Sequence, residues 1–154
     1  MRAKLENNIY VVYNDNDAVV GKMIINLKPH FSESEIIIGN DRYKIVREGW
    51  KFNIFLNDVA VEYMKTNSFS GNITVLELGR KIKGVFSLKW GTKLVDEDNS
   101  TLLKIRNENL FINKQSYVIQ VEDDNVSNFE ILLSLFGHLY GSNLKTKSTI
   151  IAVS

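Results

Sequence analysis

The densest cluster of one charge sign in this chain is Arg80, Lys81 and Lys83, with Lys89 and Lys93 close behind. Strand alternation would align Lys81, Lys83 and Lys89 on one outer face. Aligned cations attract an anionic membrane surface by ~1 kcal/mol each. Arg80, Lys81, Lys83, Lys89 and Lys93 are therefore the candidate face for phospholipid or phosphoinositide headgroups. The structural alternative is an edge strand that lysines keep from pairing with other chains.

Other chemistry is sparsely provided for. His30 and His138 are the only histidines and there is no cysteine, so neither thiolate sites nor a pair of histidines at helical spacing can hold a metal. His138 reads as a core histidine with a satisfied hydrogen bond. The acidic runs Asp96-Glu97-Asp98-Asn99 and Glu122-Asp123-Asp124-Asn125 lack the alternating spacing, glycine and distant glutamate of a calcium loop, and read as solvated turns. Glu35, Glu62 and Glu77 fall where alternation places side chains outside, so no carboxylate pair for acid and base catalysis is visible. The glycines are scattered singly, which excludes a phosphate-cradling loop. No catalytic residue, cofactor site or metal site is expected, and the chain reads as a non-enzyme.

The elements that must position these residues are mostly strands. A length of 154 residues with 44% hydrophobic residues suits one domain, and a net charge of +1 gives no footprint of a nucleic-acid binder. Residues 1–125 read as antiparallel strands: Ile9 to Tyr13 and Ala18 to Leu27 around Asn14 to Asp17, then Glu35 to Ile38 and Tyr43 to Val46. Trp50, Phe52, Ile54 and Leu56 alternate with Lys51 and Asn53. Beyond the Asn57-Asp58 turn, Val59, Val61 and Tyr63 resume the inward face. Ile73 to Leu78 and Ile82 to Leu88 form a further hairpin, in which Gly84 predicts a bulge or a close approach of another backbone. Thr92 to Val95, Leu102 to Ile105, Leu110 to Ile112 and Tyr117 to Val121 complete about twelve strands.

Residues 127–140 then switch to helical period. Ser127 and Glu130 form a capping box, Val126 and Ile131 a hydrophobic staple, and Gly141 a C-terminal cap. Apolar residues from Phe129 to Tyr140 cover roughly 200° of the helix at about 100° per residue, so it must be wrapped by the domain. At about 20 Å it is too short to cross a bilayer. Residues 141–154 form a tail whose apolar run, Thr149 to Val153, either pairs with a strand or is mobile. Meander strands followed by one wrapped helix predict a mainly β fold: an antiparallel barrel of about twelve strands enclosing a hydrophobic C-terminal helix. The absence of cysteine and of an apolar leader in Met1 to Asn8 predicts a cytoplasmic, non-transmembrane protein.

The order of elements resembles the LURP-one-related family, a branch of the tubby C-terminal-like fold to which phospholipid scramblases are also related. The resemblance rests on Tyr43 to Gly49, on Asn53 to Tyr63 with its Asn57-Asp58 turn, on Leu94 to Arg106 with Asp96 to Asn99, and on the helix from Phe129 to Leu139. The sequence departs from that pattern in having no glycine in either turn and in its tail. The resemblance implies a helix threaded through a twelve-stranded barrel and a binding or scaffold module, with membrane lipids or a protein as partner. The competing function is a small-ligand carrier of lipocalin type, which requires a hollow barrel with the helix outside.

Overall fold

The computed structural model describes residues 1–26, 31–84, 90–109 and 115–153, with side chains through residue 142. Twelve antiparallel strands run in order: β1 (Arg2–Glu6), β2 (Ile9–Tyr13), β3 (Val19–Asn26), β4 (Glu33–Ile38), β5 (Asp41–Glu48), β6 (Lys51–Leu56), β7 (Val59–Thr66), β8 (Ile73–Val75), β9 (Arg80–Gly84), β10 (Thr92–Val95), β11 (Thr101–Asn107) and β12 (Ser116–Val121). Each pairs with its neighbours in sequence, and Arg2 opposite Val118 closes β1 onto β12, so the sheet is a complete barrel. β1 was not among the expected strands, although Ala3 and Leu5 alternate with Arg2, Lys4 and Glu6. The expected strand over Leu110 to Ile112 lies outside the described residues.

Turn chemistry sets the register. Asn7 and Asn8, and likewise Asn57 and Asp58, have φ between 50° and 66°. Two successive left-handed residues make the hairpin turn whose twist matches a strand pair. Asn and Asp tolerate that region because their short polar side chains bond locally, so these turns dispense with glycine.

The helix α1 (Asn128–Val153) begins where its cap predicts, with the Glu130 amide donating to Ser127 Oγ at 3.1 Å. Ten consecutive residues, Ile131 to Tyr140, are buried. Burial on every side of a helix is possible only inside a closed wall. Around it the strands contribute Val12, Met23, Ile36, Ile45, Phe52, Ile54, Leu103 and Ile105, all fully or nearly fully buried. Wall and helix approach so closely at Gly137 that a Cβ there would stand 2.9 Å from Ile82 Cγ2. At Gly21, a Cβ would be 3.0 Å from Leu132 Cδ2. Gly84, expected to mark such an approach, has open space instead, and it ends β9 rather than interrupting it.

Three expectations are corrected. The helix does not stop at Gly141 but runs to Val153, so the tail's apolar run is helical rather than a strand. An interior glycine costs a helix only ~1 kcal/mol, and no proline follows to end it. Trp50 is not inward but 55% exposed, because it sits in the turn before β6. The inward face of β7 is Glu62, Met64 and Thr66, not Val59, Val61 and Tyr63. A register shift pairs Ile54 with Glu62 but Phe55 with Ala60, leaving Val61 as an extra residue that reverses the alternation.

The helix enters at the lower mouth, where β12 ends, and emerges at the upper mouth near half-buried Gly141 and exposed Ser142. Meander topology assigns every turn to one mouth or the other. Residues 14–18, 39–40, 57–58, 76–79, 96–100 and 122–127 join elements at the lower mouth, and residues 7–8, 49–50 and 67–72 join strands at the upper one.

Candidate functional site

The outer wall of β9 to β11 carries the basic residues. Lys93 on β10 stands directly opposite Lys83 on β9 and directly opposite Lys104 on β11. The neighbouring row, Ile82, Leu94 and Leu103, is buried inside, so the three lysines project outward as a ladder across three strands. Lys81 lies two residues from Lys83 on the same outer face, and it is exposed. Opposed like charges are destabilising, and here they are only partly compensated. Lys83 Nζ donates to Asn99 Oδ1 at 2.7 Å, and Lys104 Nζ is 3.8 Å from Glu122. Trp90 backs the ladder, its ring 5.8 Å from Lys104 Nζ and 5.5 Å from the Arg106 guanidinium. Because the barrel is closed, β9 is no edge strand, and protection against edge pairing no longer accounts for its lysines.

The candidate set changes accordingly. Lys81, Lys83 and Lys93 share the outer wall, whereas Lys89 lies outside the described residues. Arg80 alternates to the opposite face and turns toward the helix. Lys104 was missed, yet it and Lys93 flank the Asp96 to Ser100 turn at comparable spacing, which is the signal that pairs them.

Arg80 meets Glu130 at the lower mouth. Its Nε is 3.8 Å from Glu130 Oε2, a charge contact beyond hydrogen-bond length, and the Glu130 side chain is only 7% exposed. Among the described residues, neither atom makes a hydrogen bond. The capping box is therefore made in its forward half only, with the Glu130 side chain turned to Arg80. Burial pushes the Glu130 carboxyl above the ordinary carboxylate range; Arg80 pulls it back and Asp123 adds to the rise. A carboxyl whose folded pKa is raised binds its proton more tightly in the folded state. Its stabilising share is complete below the unfolded pKa and is lost as pH rises through the folded one. Glu130→Gln should accordingly gain on the parent at neutral pH, and the gain should shrink as pH falls through the carboxylate range. Urea midpoints across that range test this, and a variant weaker at neutral pH would mean that Arg80's attraction dominates.

The remaining polar groups are structural in their contacts. Inside the barrel His138 Nδ1 is 2.7 Å from Thr92 Oγ1, and Nε2 is 3.0 Å from Asn107 Oδ1. A neutral imidazole accepting from the threonine and donating to the amide satisfies both. Tyr117 packs edge-on to this ring at 5.5 Å, and burial pushes its phenol upward. Glu62, expected outside, is 2% exposed. Its carboxylate accepts from the backbone amides of Tyr63, Glu77 and Leu78 at 2.8, 2.8 and 3.1 Å. Glu35 pairs with Arg42 at 2.9 Å, and Glu77 is exposed. The two acidic runs are turns, with Asp96 Oδ1 accepting from the Ser100 amide and Asp123 Oδ1 from that of Asn125, both at 2.9 Å. His30 lies outside the described residues. Among the described residues no three His, Cys, Asp or Glu side chains gather as metal ligands. A shallow groove of about 270 Å³ crosses the outer wall of β3 to β5, lined by Ile24, Asn26, Glu33 to Glu35 and Lys44, where Lys44 and Glu33 neutralise each other at 2.9 Å.

A protein from Arabidopsis thaliana, known by X-ray crystallography, superposes on this barrel with a TM-score of 0.59 at 10% identity, over 92% of this chain and 90% of that one. The likeness is one of fold. No protein-family model matches the sequence, and no curated protein matches it. No helix among the described residues is long and apolar enough to cross a membrane.

Proposed function

We propose that this barrel is a non-enzymatic binding module of LURP-one-related, tubby-like type, whose β9 to β11 wall contacts anionic phospholipid headgroups at the cytoplasmic leaflet. The carrying observation is the ladder Lys83, Lys93 and Lys104, three outward lysines opposed across adjacent strands. An anionic surface relieves their mutual repulsion and gains ~1 kcal/mol per lysine. The helix-filled interior directs any contact to the outside, and the carrier alternative loses the hollow lumen it needs. The buried titratable groups also favour binding over catalysis. His138, Glu62 and Glu130 are each occupied by packing, turn or helix-start contacts rather than arranged around a cleft.

Co-sedimentation with phosphatidylcholine vesicles, with and without phosphatidylserine, tests this reading. The parent should bind only the anionic vesicles, and less as salt is raised. In the double variant Lys83→Glu and Lys93→Glu, two attractions become repulsions, and partition should fall at least about thirtyfold. A parent that ignores anionic vesicles at low salt removes the proposal.

A further inference from the structure

The overall charge of +1 conceals a separation along the barrel axis. The lower-mouth turns, residues 14–18, 39–40, 57–58, 76–79, 96–100 and 122–127, contain ten carboxylates and no lysine or arginine. The upper-mouth turns at 7–8, 49–50 and 67–72 contain no charged residue, although exposed Glu48 stands opposite Lys51 and exposed Glu6 and Glu108 end or follow strands at the same mouth. Beside them stand Lys51 and Lys65, directly opposite each other on β6 and β7 and both exposed. With Asp15, Asp17 and Glu122 paired to the Met1 amine, Arg2 and Lys104, the lower mouth still carries the larger excess of carboxylates, so an anionic surface is repelled less by the upper one.

The same mouth displays two large aromatic side chains. Phe69 is 100% exposed and Trp50 is 55% exposed. They occupy adjoining turns, linked by the Thr66 amide donating to the Trp50 carbonyl at 2.8 Å. Phe69 is held out by a self-bonded turn. Asn67 Oδ1 accepts from the amides of Phe69 and Ser70 at 2.9 and 3.1 Å, and the Asn67 amide donates to the Asn72 carbonyl at 2.8 Å. The Trp50 turn is fixed by Arg47 Nε, which donates to the Gly49 carbonyl at 2.9 Å. Two large apolar side chains held out on adjoining, pre-ordered turns are available to a contacting surface. Tryptophan flanked by lysines matches the interfacial layer of a bilayer, where rings lie at headgroup depth and ammonium groups reach the phosphates.

We infer that the barrel meets an anionic bilayer with the Trp50 and Phe69 side of its upper rim, tilted clear of α1, which leaves the same mouth and runs on to Val153. Trp50 and Phe69 enter the interfacial layer beside Lys51 and Lys65, while the acidic lower mouth points away. This rests on the anionic-surface reading above and adds to it an orientation and an apolar anchor.

The chain has two tryptophans and no cysteine, so the orientation can be read at single positions. In Trp90→Phe, only Trp50 emits. With phosphatidylserine-containing vesicles its emission should shift to the blue and be quenched by lipids brominated high on the acyl chain; phosphatidylcholine alone should produce neither. Phe69→Cys carrying a polarity-sensitive dye should report the same transfer independently of the Trp90 change. Phe69→Ala should weaken partition about tenfold. Co-sedimentation with both probes still reporting water overturns the orientation while leaving the lysine wall as the contact. Failure of the parent to co-sediment overturns both.

Discussion

Leu135→Asp is expected to leave no cooperatively folded barrel at room temperature. Leu135 is fully buried in the stretch of α1 that the strands surround. The next residue, Phe136, meets Phe31 and Phe52 edge-on at 5.8 and 5.1 Å. Removing a buried leucine alone costs about 2.7–5 kcal/mol. An ionised carboxylate in its place adds several kcal/mol more, because no lysine or arginine among the described residues is buried with it to pair. The sum is comparable with the whole stability of a domain, about 5–15 kcal/mol. Leu135→Ala, which carries only the first penalty, should still melt cooperatively at a lower temperature. Circular dichroism melts of the three proteins check the comparison. A near-parent melt for the aspartate variant would place the helix outside the strand layer.

The enclosure on which that result depends was legible in the sequence, because it follows from local rules. Alternation in β6, the left-handed Asn57-Asp58 pair and the apolar arc of α1 each identify an element and its buried face without reference to a partner. Legibility ended where one residue depends on a distant one. The Val61 bulge has no compositional mark, yet it turns Val59 and Val61 outward and Glu62 inward. Glu130 satisfies the spacing of a capping box, but tertiary packing offers its carboxylate Arg80 instead. The lysine ladder was visible in part: Lys81, Lys83 and Lys93 are close in sequence, whereas Lys104 joins them only through the β10 to β11 register. Arg80 shows the converse error, since proximity in sequence grouped it with residues on the opposite face of the same strand. Net charge misled in a further way, since a total near zero cannot reveal that the lower turns hold ten carboxylates and no lysine or arginine of their own.

Glu62→Ala is expected to cost ~3 kcal/mol, far more than a glutamate at a surface position would. The reason lies in how the barrel closes between β7 and β9. β8 is only three residues long, and the strand ladder reaches the turn at residues 76–79 only through Val75 opposite Arg80 and the Leu76 amide donating to the Tyr63 carbonyl at 3.0 Å, which leaves the amides of Glu77 and Leu78 to be held from elsewhere. The Glu62 carboxylate takes that role, its Oε1 accepting from the Tyr63 and Glu77 amides and its Oε2 from the Leu78 amide. Hydrogen bonds to a charged acceptor contribute about 1.5–3 kcal/mol each. Because Glu77 is exposed, water can replace its bond, and the two that remain, at the lower end of that range, sum to ~3 kcal/mol. Glu62→Gln separates charge from shape: its carbonyl oxygen can still accept from Tyr63 and Glu77, but its NH₂ cannot accept from Leu78. An intermediate loss is expected, together with faster hydrogen exchange at the Leu78 amide. Equal stability of all three proteins would mean that the turn is held by its apolar contacts, chiefly Leu78 against the core, rather than by the buried carboxylate.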